Sequence, residues 1–191
     1  MASRPLDYVT PEEYLERERV ATEKSEYING VIVAMAGGSP RHALIAMNVG
    51  AALHNQLRQT CCRIFSSDLR VCVRWGTLTT YPDVTVICGE EEYTDDKRDT
   101  VTNPTLIAEV LSPSTKSYDR GEKARLFRML PSMREFLLIE QETVEVEHWR
   151  RLPNGNWELA TVQDPGAILH LESIGSELPV SEIYRGTERF A

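Results

Sequence analysis

Residues 105–123 read TLIAEVLSPSTKSYDRGEK, and the first half of this stretch predicts a strand at the centre of a sheet. The run LIAEVL is almost continuously apolar, as central strands are. Glu109 lies in the middle of it. A carboxylate that enters a protein interior without a partner or a metal ion costs several kcal/mol. We therefore expect Glu109 to have one or the other.

Length and composition define the broad class of the protein. The 191 residues predict a single domain over residues 1–191, large enough to bury a core, and 41% hydrophobic with 26% charged residues is typical of globular proteins. The N-terminal MASRPLDYVTPEEYLERER lacks the layout of a signal peptide, and no apolar run approaches the ~20 residues that span a bilayer. We expect a cytoplasmic protein with no membrane partner.

The four cysteines show neither a CxxC pair nor zinc-ligand spacing, which favours free, mostly buried thiols.

Three local signals organise the first third of the chain. Thr10-Pro11-Glu12-Glu13 has the cap, proline and glutamate of a helix start, and predicts a short helix to about Val20. SEYINGVIVAM predicts two strands joined at Asn29-Gly30, a strong hairpin signal. Ser39-Pro40 opens a longer helix. The expected packing face of this helix consists of Ala43, Met47, Gly50, Ala51, His54 and Leu57.

The rest of the chain predicts more strands around one further helix. CRIFS, LRVCVRW, DVTVICG and TLIAEVL read as strands, and the alternation in LRVCVRW predicts one solvent-exposed face. A helix is expected from about Tyr118 to Leu130, and the strands EFLLIEQ, TVEVEHWRR and NWELATV follow. The tail ESIGSELPVSEIY predicts a closing segment with a short helical turn. The pattern indicates an α/β chain of the mixed α+β type, built on a mixed sheet.

Two strands carry the residues that point to a chemical activity. Asp83 follows Tyr81-Pro82 at the start of DVTVIC, and Glu109 lies about 26 residues later in LIAEVL. If the strands are neighbours, the two carboxylates converge at one edge of the sheet, repel each other and raise one pKa. A hard divalent cation relieves that repulsion, and oxygen ligands suit Mg²⁺. Lys123 lies one helix further on and could reach the same pocket.

Each of these residues also has a structural interpretation. Asp83 could cap a turn, Glu109 could pair with an arginine, and Lys123 could lie on a solvated helix face. His42, in the first turn of a helix, is more typical of a structural histidine than of a catalytic one. The hydroxyls of SPST (112–115) could cap the following helix or contact a phosphate.

The stretches YPDVTVI and LIAEVLSPSTKSYDRGEKARLFRMLPSMREFLLIEQ resemble the bacterial Uma2 family of restriction endonucleases, within the PD-(D/E)XK nuclease superfamily. The resemblance runs from the SEYINGVIVAM hairpin to about residue 150. It implies the restriction-endonuclease-like fold, a central mixed sheet flanked by helices, and metal-binding roles for Asp83 and Glu109. The superfamily's lysine normally stands two residues after the acid, where this chain has Leu111, so Lys123 is the implied substitute. Glu26 matches a further acidic position.

The hypothesis that follows is metal-assisted hydrolysis of phosphodiester bonds in DNA. Mg²⁺ or Mn²⁺ would be bound by Asp83, Glu109 and the carbonyl of Val110, with Glu26 as a further acid. Lys123 would orient water or neutralise developing charge.

The charge pattern bears on the partner. The net charge of −8 argues against general affinity for nucleic acid, although residues 116–134 are basic by four charges. This run is either a solvated helix face or, with Arg120, Arg125 and Arg128, a surface that follows the DNA backbone. A homodimer is expected because a two-fold pair cuts two strands most simply.

Two other functions stay open at this point. The fold could persist as a non-cleaving module that binds nucleic acid or a protein partner, which Leu111 and the net charge favour. A metal hydrolase acting on a small molecule is the third possibility, although nothing in the sequence marks a small-molecule pocket.

Overall fold

The computed structural model describes residues 8–190, in which strands form two larger sheets and a hairpin. The strands are β1 (Ser25–Ile28), β2 (Val31–Ala34), β3 (Cys62–Ser66), β4 (Arg70–Arg74), β5 (Leu78–Thr80), β6 (Val84–Cys88), β7 (Thr100–Val101), β8 (Leu106–Leu111), β9 (Glu135–Glu140), β10 (Val146–Arg151), β11 (Trp157–Val162), β12 (Ile168–Leu171) and β13 (Ser176–Pro179). The helices are α1 (Pro11–Glu18), α2 (Pro40–Leu57), α3 (Lys116–Tyr118), α4 (Ala124–Met129) and α5 (Val180–Ile183). A π-helical turn, Asp119–Lys123, joins α3 to α4, and short 3-10 turns occupy Glu172–Ile174 and Thr187–Phe190.

The local signals near the N-terminus form the predicted structures. Thr10 Oγ1 accepts a hydrogen bond from the Glu13 amide at 3.1 Å, and Glu13 accepts one from the Thr10 amide at 2.8 Å, which completes a capping box for α1. Strands β1 and β2 form an antiparallel hairpin. Its turn residues Asn29 and Gly30 have positive φ values of 49° and 92°, which these two residue types tolerate best.

Helix α2 exists as predicted, but the expected packing face is wrong. The side chains that it buries are Ile45, Val49, Leu53 and Leu57. Of the expected face, only Leu57 belongs to this set. The remaining residues of that face line a cleft, and Met47 is 68% exposed. An apolar surface of α2 is therefore turned away from the core.

The central sheet has six strands in the order β11-β10-β9-β8-β6-β3. Strands β8 and β9 are parallel and the other pairs are antiparallel, so the sheet is mixed, as predicted. The buried side of α2 packs on one face of the sheet, against Val86 and Ala108. Helix α4 packs on the other face, where Phe127 joins a cluster with Ile107. Helices thus cover both faces.

A second sheet has the order β2-β1-β5-β4-β7. It joins the predicted β1-β2 hairpin to β5, β4 and β7, and these further pairings were not predicted from the sequence. The prediction that LRVCVRW has a solvent-exposed face is wrong, because Arg70, Cys72 and both valines are buried. The exposed residues of this stretch, Arg74 and Trp75, are adjacent at its end and do not form one face of a strand. Arg70 is tolerated inside because its guanidinium forms an ion pair with Asp99 and donates a hydrogen bond to Thr100 Oγ1.

The cysteine prediction is wrong for two of the four residues. Cys62 and Cys88 are directly opposite each other on β3 and β6 and form a disulfide. Cys61 and Cys72 are free, as predicted. The register of the two strands brings together thiols that are 26 positions apart.

Two expectations extend beyond the described residues. One is the single domain over residues 1–191, and the other is the absence of a signal-peptide layout at the N-terminus. Both include residues 1–7, which lie outside the described part, and both stay predictions. Between residues 8 and 190, no helix is long and apolar enough to cross a membrane. The cytoplasmic location stays a prediction.

Candidate active site

Asp83 and Glu109 meet where β6 begins. The antiparallel register pairs Val84 with Ala108, so Asp83, one residue before β6, lies beside the later part of β8. Asp83 Oδ2 accepts a hydrogen bond from the Val110 amide at 2.8 Å. The amide of Asp83 donates to Glu109 Oε2 at 3.4 Å. The two strands therefore hold both carboxyl groups at one point of the sheet.

Lys123 is buried among three carboxylates. Its Nζ lies 2.8 Å from Glu109 Oε1, 3.0 Å from Glu26 Oε1 and 3.7 Å from Asp119 Oδ1. Asp119 and Lys123 are the first and last residues of the π-helical turn, which is a type of helical irregularity often found at functional sites. Glu109 thus has a lysine as its cationic partner, and the alternative of an arginine is excluded.

Glu26 reaches this point from the second sheet. It belongs to β1, is 9% exposed, and accepts a hydrogen bond from the Thr80 hydroxyl of β5 as well as the ion pair from Lys123. The structure therefore brings together all four residues that the sequence proposed as catalytic, namely Asp83, Glu109, Lys123 and Glu26. Their chemical roles stay predictions.

His42 is the residue that sequence reasoning undervalued. Ser39 caps α2 by accepting a hydrogen bond from the His42 amide at 3.1 Å, and its hydroxyl donates to Gln141 Oε1 at 2.7 Å. This arrangement brings His42 Nε2 to 3.3 Å from Asp83 Oδ2. Nothing in the sequence pairs a helix start with the Asp83 strand. Asp119 was also missed as a member of the cluster, although its spacing of four from Lys123 was a usable signal.

The charges of the cluster act strongly on one another. Burial raises the pKa of Glu109, and the charges of Asp83 and Asp119 raise it further, against the opposing effect of Lys123. Burial by itself would lower the pKa of Lys123, but the surrounding carboxylates outweigh it and raise that pKa. The hydrogen bond to Asp83 raises the pKa of His42 despite its burial. Lys123 is therefore a fixed cation at neutral pH.

The oxygen atoms present are of the kind that Mg²⁺ and Mn²⁺ bind, since Asp83 and Glu109 supply carboxylates and Val110 supplies a carbonyl. As the side chains of the described residues stand, no three or more His, Cys, Asp or Glu side chains are grouped closely enough to hold a metal ion. Asp83 Oδ2 and Glu109 Oε1 instead contact His42 and Lys123. These oxygen ligands suit a hard cation. In the present structure the two carboxylates are instead paired with the protein's own side chains, His42 and Lys123.

The cluster forms the floor of a cleft of about 1370 Å³. The walls are the apolar surface of α2, the β2 strand with the loop after it, β3, and the SPST loop. The arginines predicted to follow DNA do not line this cleft. Arg120 pairs with Glu140, Glu145 and Glu147 at 2.7–3.0 Å.

The other two arginines also have partners within the protein. Arg125 pairs with Glu122, and the guanidinium of Arg128 lies over the Trp149 ring at 4.3 Å. A role for these arginines and Arg120 in DNA binding stays a prediction, and these contacts do not support it.

The structure has a mixed sheet covered by helices, with Asp83 just before β6, Glu109 within the adjacent β8, and a buried lysine beside Glu109. This is the architecture expected of a nuclease-fold protein. Comparison of the sequence with known families identifies the group: residues 11–181 match Uma2, described as "Putative restriction endonuclease". The chain belongs to the Uma2 family, as the resemblance implied.

Relatives of known sequence and structure agree with this assignment. Two proteins of Synechocystis, the uncharacterized proteins slr1290 and sll1609, are 38% and 39% identical to this chain over 186 and 159 residues. These alignments cover 96% and 83% of this chain, and 95% and 90% of the relatives. A crystal structure from Anabaena variabilis, described as a "putative nuclease belonging to DUF820", superimposes with a TM-score of 0.74 at 19% identity. The superposition covers 92% of this chain and 97% of the Anabaena chain, and it supports the fold.

Proposed function

We propose that this protein is a divalent-metal-dependent endonuclease that hydrolyses phosphodiester bonds in DNA. The observation that carries the proposal is Lys123, an ammonium group buried among Glu26, Glu109 and Asp119 beside Asp83. Burying so many charges together is costly, and a core of apolar residues would be no less stable. Strongly perturbed acids in a cleft are typical of catalytic sites.

The charge of the floor supports a metal ion. The floor carries two cationic side chains, Lys123 and His42, and four carboxyl groups, so an excess of negative charge remains even when Glu109 is in the neutral form that its raised pKa favours. The carboxyl groups are those of Glu26, Asp83, Glu109 and Asp119. The residues that would hold the ion are Asp83, Glu109 and the carbonyl of Val110, with Glu26 close by. A bound divalent cation supplies an activated water and stabilises negative charge on a phosphate.

The chain's own residues have separate tasks in this proposal. Lys123 stays protonated, so it orients the attacking water or stabilises developing negative charge and does not act as a base. Asp83 is held in place by the Val110 amide and by His42. His42 is the group at this site that can hold or release a proton near Asp83.

Plasmid nicking and cleavage with Mg²⁺ and with Mn²⁺ tests the proposal. Wild type is compared with Asp83→Asn, Glu109→Gln and Lys123→Met, and we expect each variant to lose at least about a hundredfold in rate. Glu122→Gln is the matched control, because Glu122 neighbours Lys123 in sequence but pairs with Arg125 at the surface. Equal activity in all five proteins would indicate a contaminating nuclease and reject the proposal.

A second function, a non-cleaving module that binds nucleic acid or a protein partner, is favoured by one observation. Lys123 and His42 already neutralise the carboxylates that a metal would need. If this holds, Mg²⁺ and Mn²⁺ leave the melting temperature unchanged and no phosphodiester is cleaved. If the metal site forms, the melting temperature rises with cation concentration by mass action.

A further inference from the structure

The helical segment that carries Lys123 is short and irregular. Three residues of α3 precede the π-helical turn Asp119–Lys123, and six residues of α4 follow it. Gly121, in the middle of the turn, is a weak helix former. Helices of this length depend on tertiary contacts for their stability. The position of Lys123 therefore depends on how the segment is anchored to the sheet.

Arg120 anchors the turn on the side away from Glu109. Its guanidinium lies 2.7 Å from Glu147, 2.8 Å from Glu145 and 3.0 Å from Glu140. Glu140 ends β9, Glu145 directly precedes β10, and Glu147 belongs to β10. We call these three groups the β9–β10 carboxylates. Because β9 runs parallel to β8 and beside it, they lie at the same end of the central sheet as Glu109.

Lys116, in α3, adds a second ion pair to one of these groups. Its Nζ lies 2.5 Å from Glu140 Oε1, and the Glu140 side chain is 8% exposed. Arg120 makes the wider attachment, because its planar guanidinium presents several donors in fixed directions and meets all three β9–β10 carboxylates. It is also three positions from Lys123, whereas Lys116 is seven positions away. Arg120 is thus the nearest strong anchor of the buried lysine.

We propose that Arg120 is a positioning residue of the active site: it holds the π-helical turn against the β9–β10 carboxylates and so keeps the Lys123 ammonium at contact distance from Glu109. The inference rests on the proposed function, and it gives Arg120 a task other than DNA binding. Lys123 Nζ lies 2.8 Å from Glu109 Oε1. A displacement of about 1 Å at a reacting centre can cost about a hundredfold in rate, so the anchor matters for catalysis without touching the substrate.

The first test measures the placement of Lys123 without any catalysis. Reductive methylation with formaldehyde and a borane modifies accessible lysine amines, and mass spectrometry of peptides reads each lysine separately. In wild type the exposed Lys97 reacts and the buried Lys123 resists. We expect Arg120→Gln to raise the modification rate of Lys123 at least about tenfold, well below the melting temperature, because the turn opens locally. The rate at Lys97 stays unchanged.

Arg19→Gln is the matched control for this measurement. Arg19 is about as exposed as Arg120 and also pairs with more than one carboxylate, those of Asp95 and Asp99, but it lies outside the active site. We expect Lys123 to stay protected in this variant. If Lys123 is equally protected in Arg120→Gln, the inference is overturned, whether or not the protein is a nuclease.

The second test asks whether Arg120 acts through Lys123. Single-turnover rates of plasmid nicking at saturating protein, with Mg²⁺ or Mn²⁺, are compared in wild type, Arg120→Gln, Lys123→Met and the double variant. We expect Arg120→Gln to lower the rate at least about tenfold, while the protein concentration that gives half the maximal rate stays the same. In the Lys123→Met background the same change should have no further effect. An equal loss in both backgrounds means that Arg120 acts independently and refutes the inference.

Arg120→Lys covers the case in which Arg120→Gln does not fold. Lysine keeps the charge but cannot meet three carboxylates in fixed directions. We expect this variant to melt closer to wild type and still to show faster methylation of Lys123 and slower nicking. Wild-type values of both rates in a folded Arg120→Lys would contradict the inference. If no protein nicks DNA with either metal, wild type included, the proposed function fails, and the methylation rates still decide the placement of Lys123.

Discussion

Replacing Lys123 with methionine should lower the free energy of unfolding, because the buried carboxylates around it lose their cationic partner. The side chain is 6% exposed, and its ammonium lies within 3.7 Å of three carboxylates. Removing one partner of a buried ion pair typically costs about 3–5 kcal/mol, because the remaining charge is left uncompensated. For a chain of this size, each kcal/mol lowers the melting temperature by roughly 2–4 °C. We therefore expect Lys123→Met to melt about 6–20 °C below wild type.

A double-mutant cycle separates this cost from lost packing. Wild type, Lys123→Met, Glu109→Gln and the double variant are unfolded with urea at pH 7. Glu109→Gln should cost less than Lys123→Met, because burial already raises the pKa of Glu109 and favours its neutral form. The double variant should be more stable than the sum of the single losses by about 1–3 kcal/mol.

An exposed pair provides the control for this cycle. Arg125 and Glu122 are 53% and 45% exposed, and the same cycle on them should show no resolvable coupling. If the Lys123 and Glu109 substitutions are additive within about 0.5 kcal/mol, the ammonium does not compensate the buried carboxylate and the reasoning is refuted.

Three further predictions concern stability. Arg19, with Arg70 as a second partner, holds the pKa of Asp99 at about 2, below its ordinary value, so the stabilisation is present above about pH 4 and is lost as the pH falls toward 2. Asp99→Asn should cost about 1–2 kcal/mol at pH 7, after allowance for solvent screening, and the difference in stability from wild type in urea should disappear on acidification. Replacing Cys62 and Cys88 with serine should remove about 3–4 kcal/mol, estimated from loop closure over 26 residues, and should make the melting temperature insensitive to reductant. Phe136, fully buried and stacked on a tryptophan ring, should lose about 3–5 kcal/mol as Phe136→Ala in urea unfolding.

Each of these three has a clear contrary result. A gap between Asp99→Asn and wild type that does not change with pH would mean that Arg19 acts through packing alone. If the wild type has the same melting temperature with and without reductant, Cys62 and Cys88 are free thiols, as the sequence first suggested. A loss below about 1 kcal/mol in Phe136→Ala would mean that the core around β9 is loosely packed.

The features predicted well are those that depend on neighbouring residues. The capping box at Thr10, the Asn29-Gly30 turn and the start of α2 at Ser39 each involve groups within about four positions of one another. The pairing of β6 with β8 was also predictable, because two long apolar runs in succession tend to be neighbours at the centre of a sheet.

The features that were missed depend on how distant segments meet. Both sides of α2 are apolar, so helical periodicity identifies the helix but cannot choose the side that enters the core. The disulfide requires the register of β3 against β6, and the contact of His42 with Asp83 requires the position of α2 over the sheet. Local sequence carries none of this information.

The position of the lysine follows from the same packing. Leu111 occupies the place where the superfamily's lysine is expected, and it is 1% exposed in the cluster that includes Phe127. A lysine there would enter an apolar layer that this chain uses to attach α4 to the sheet. Lys123 reaches Glu109 from the π-helical turn instead, and Asp119 of the same turn lies beside it. If the proposed function holds, Lys123 supplies from a helix the positive charge that a lysine at position 111 would supply from the strand, and Leu111 instead completes the core.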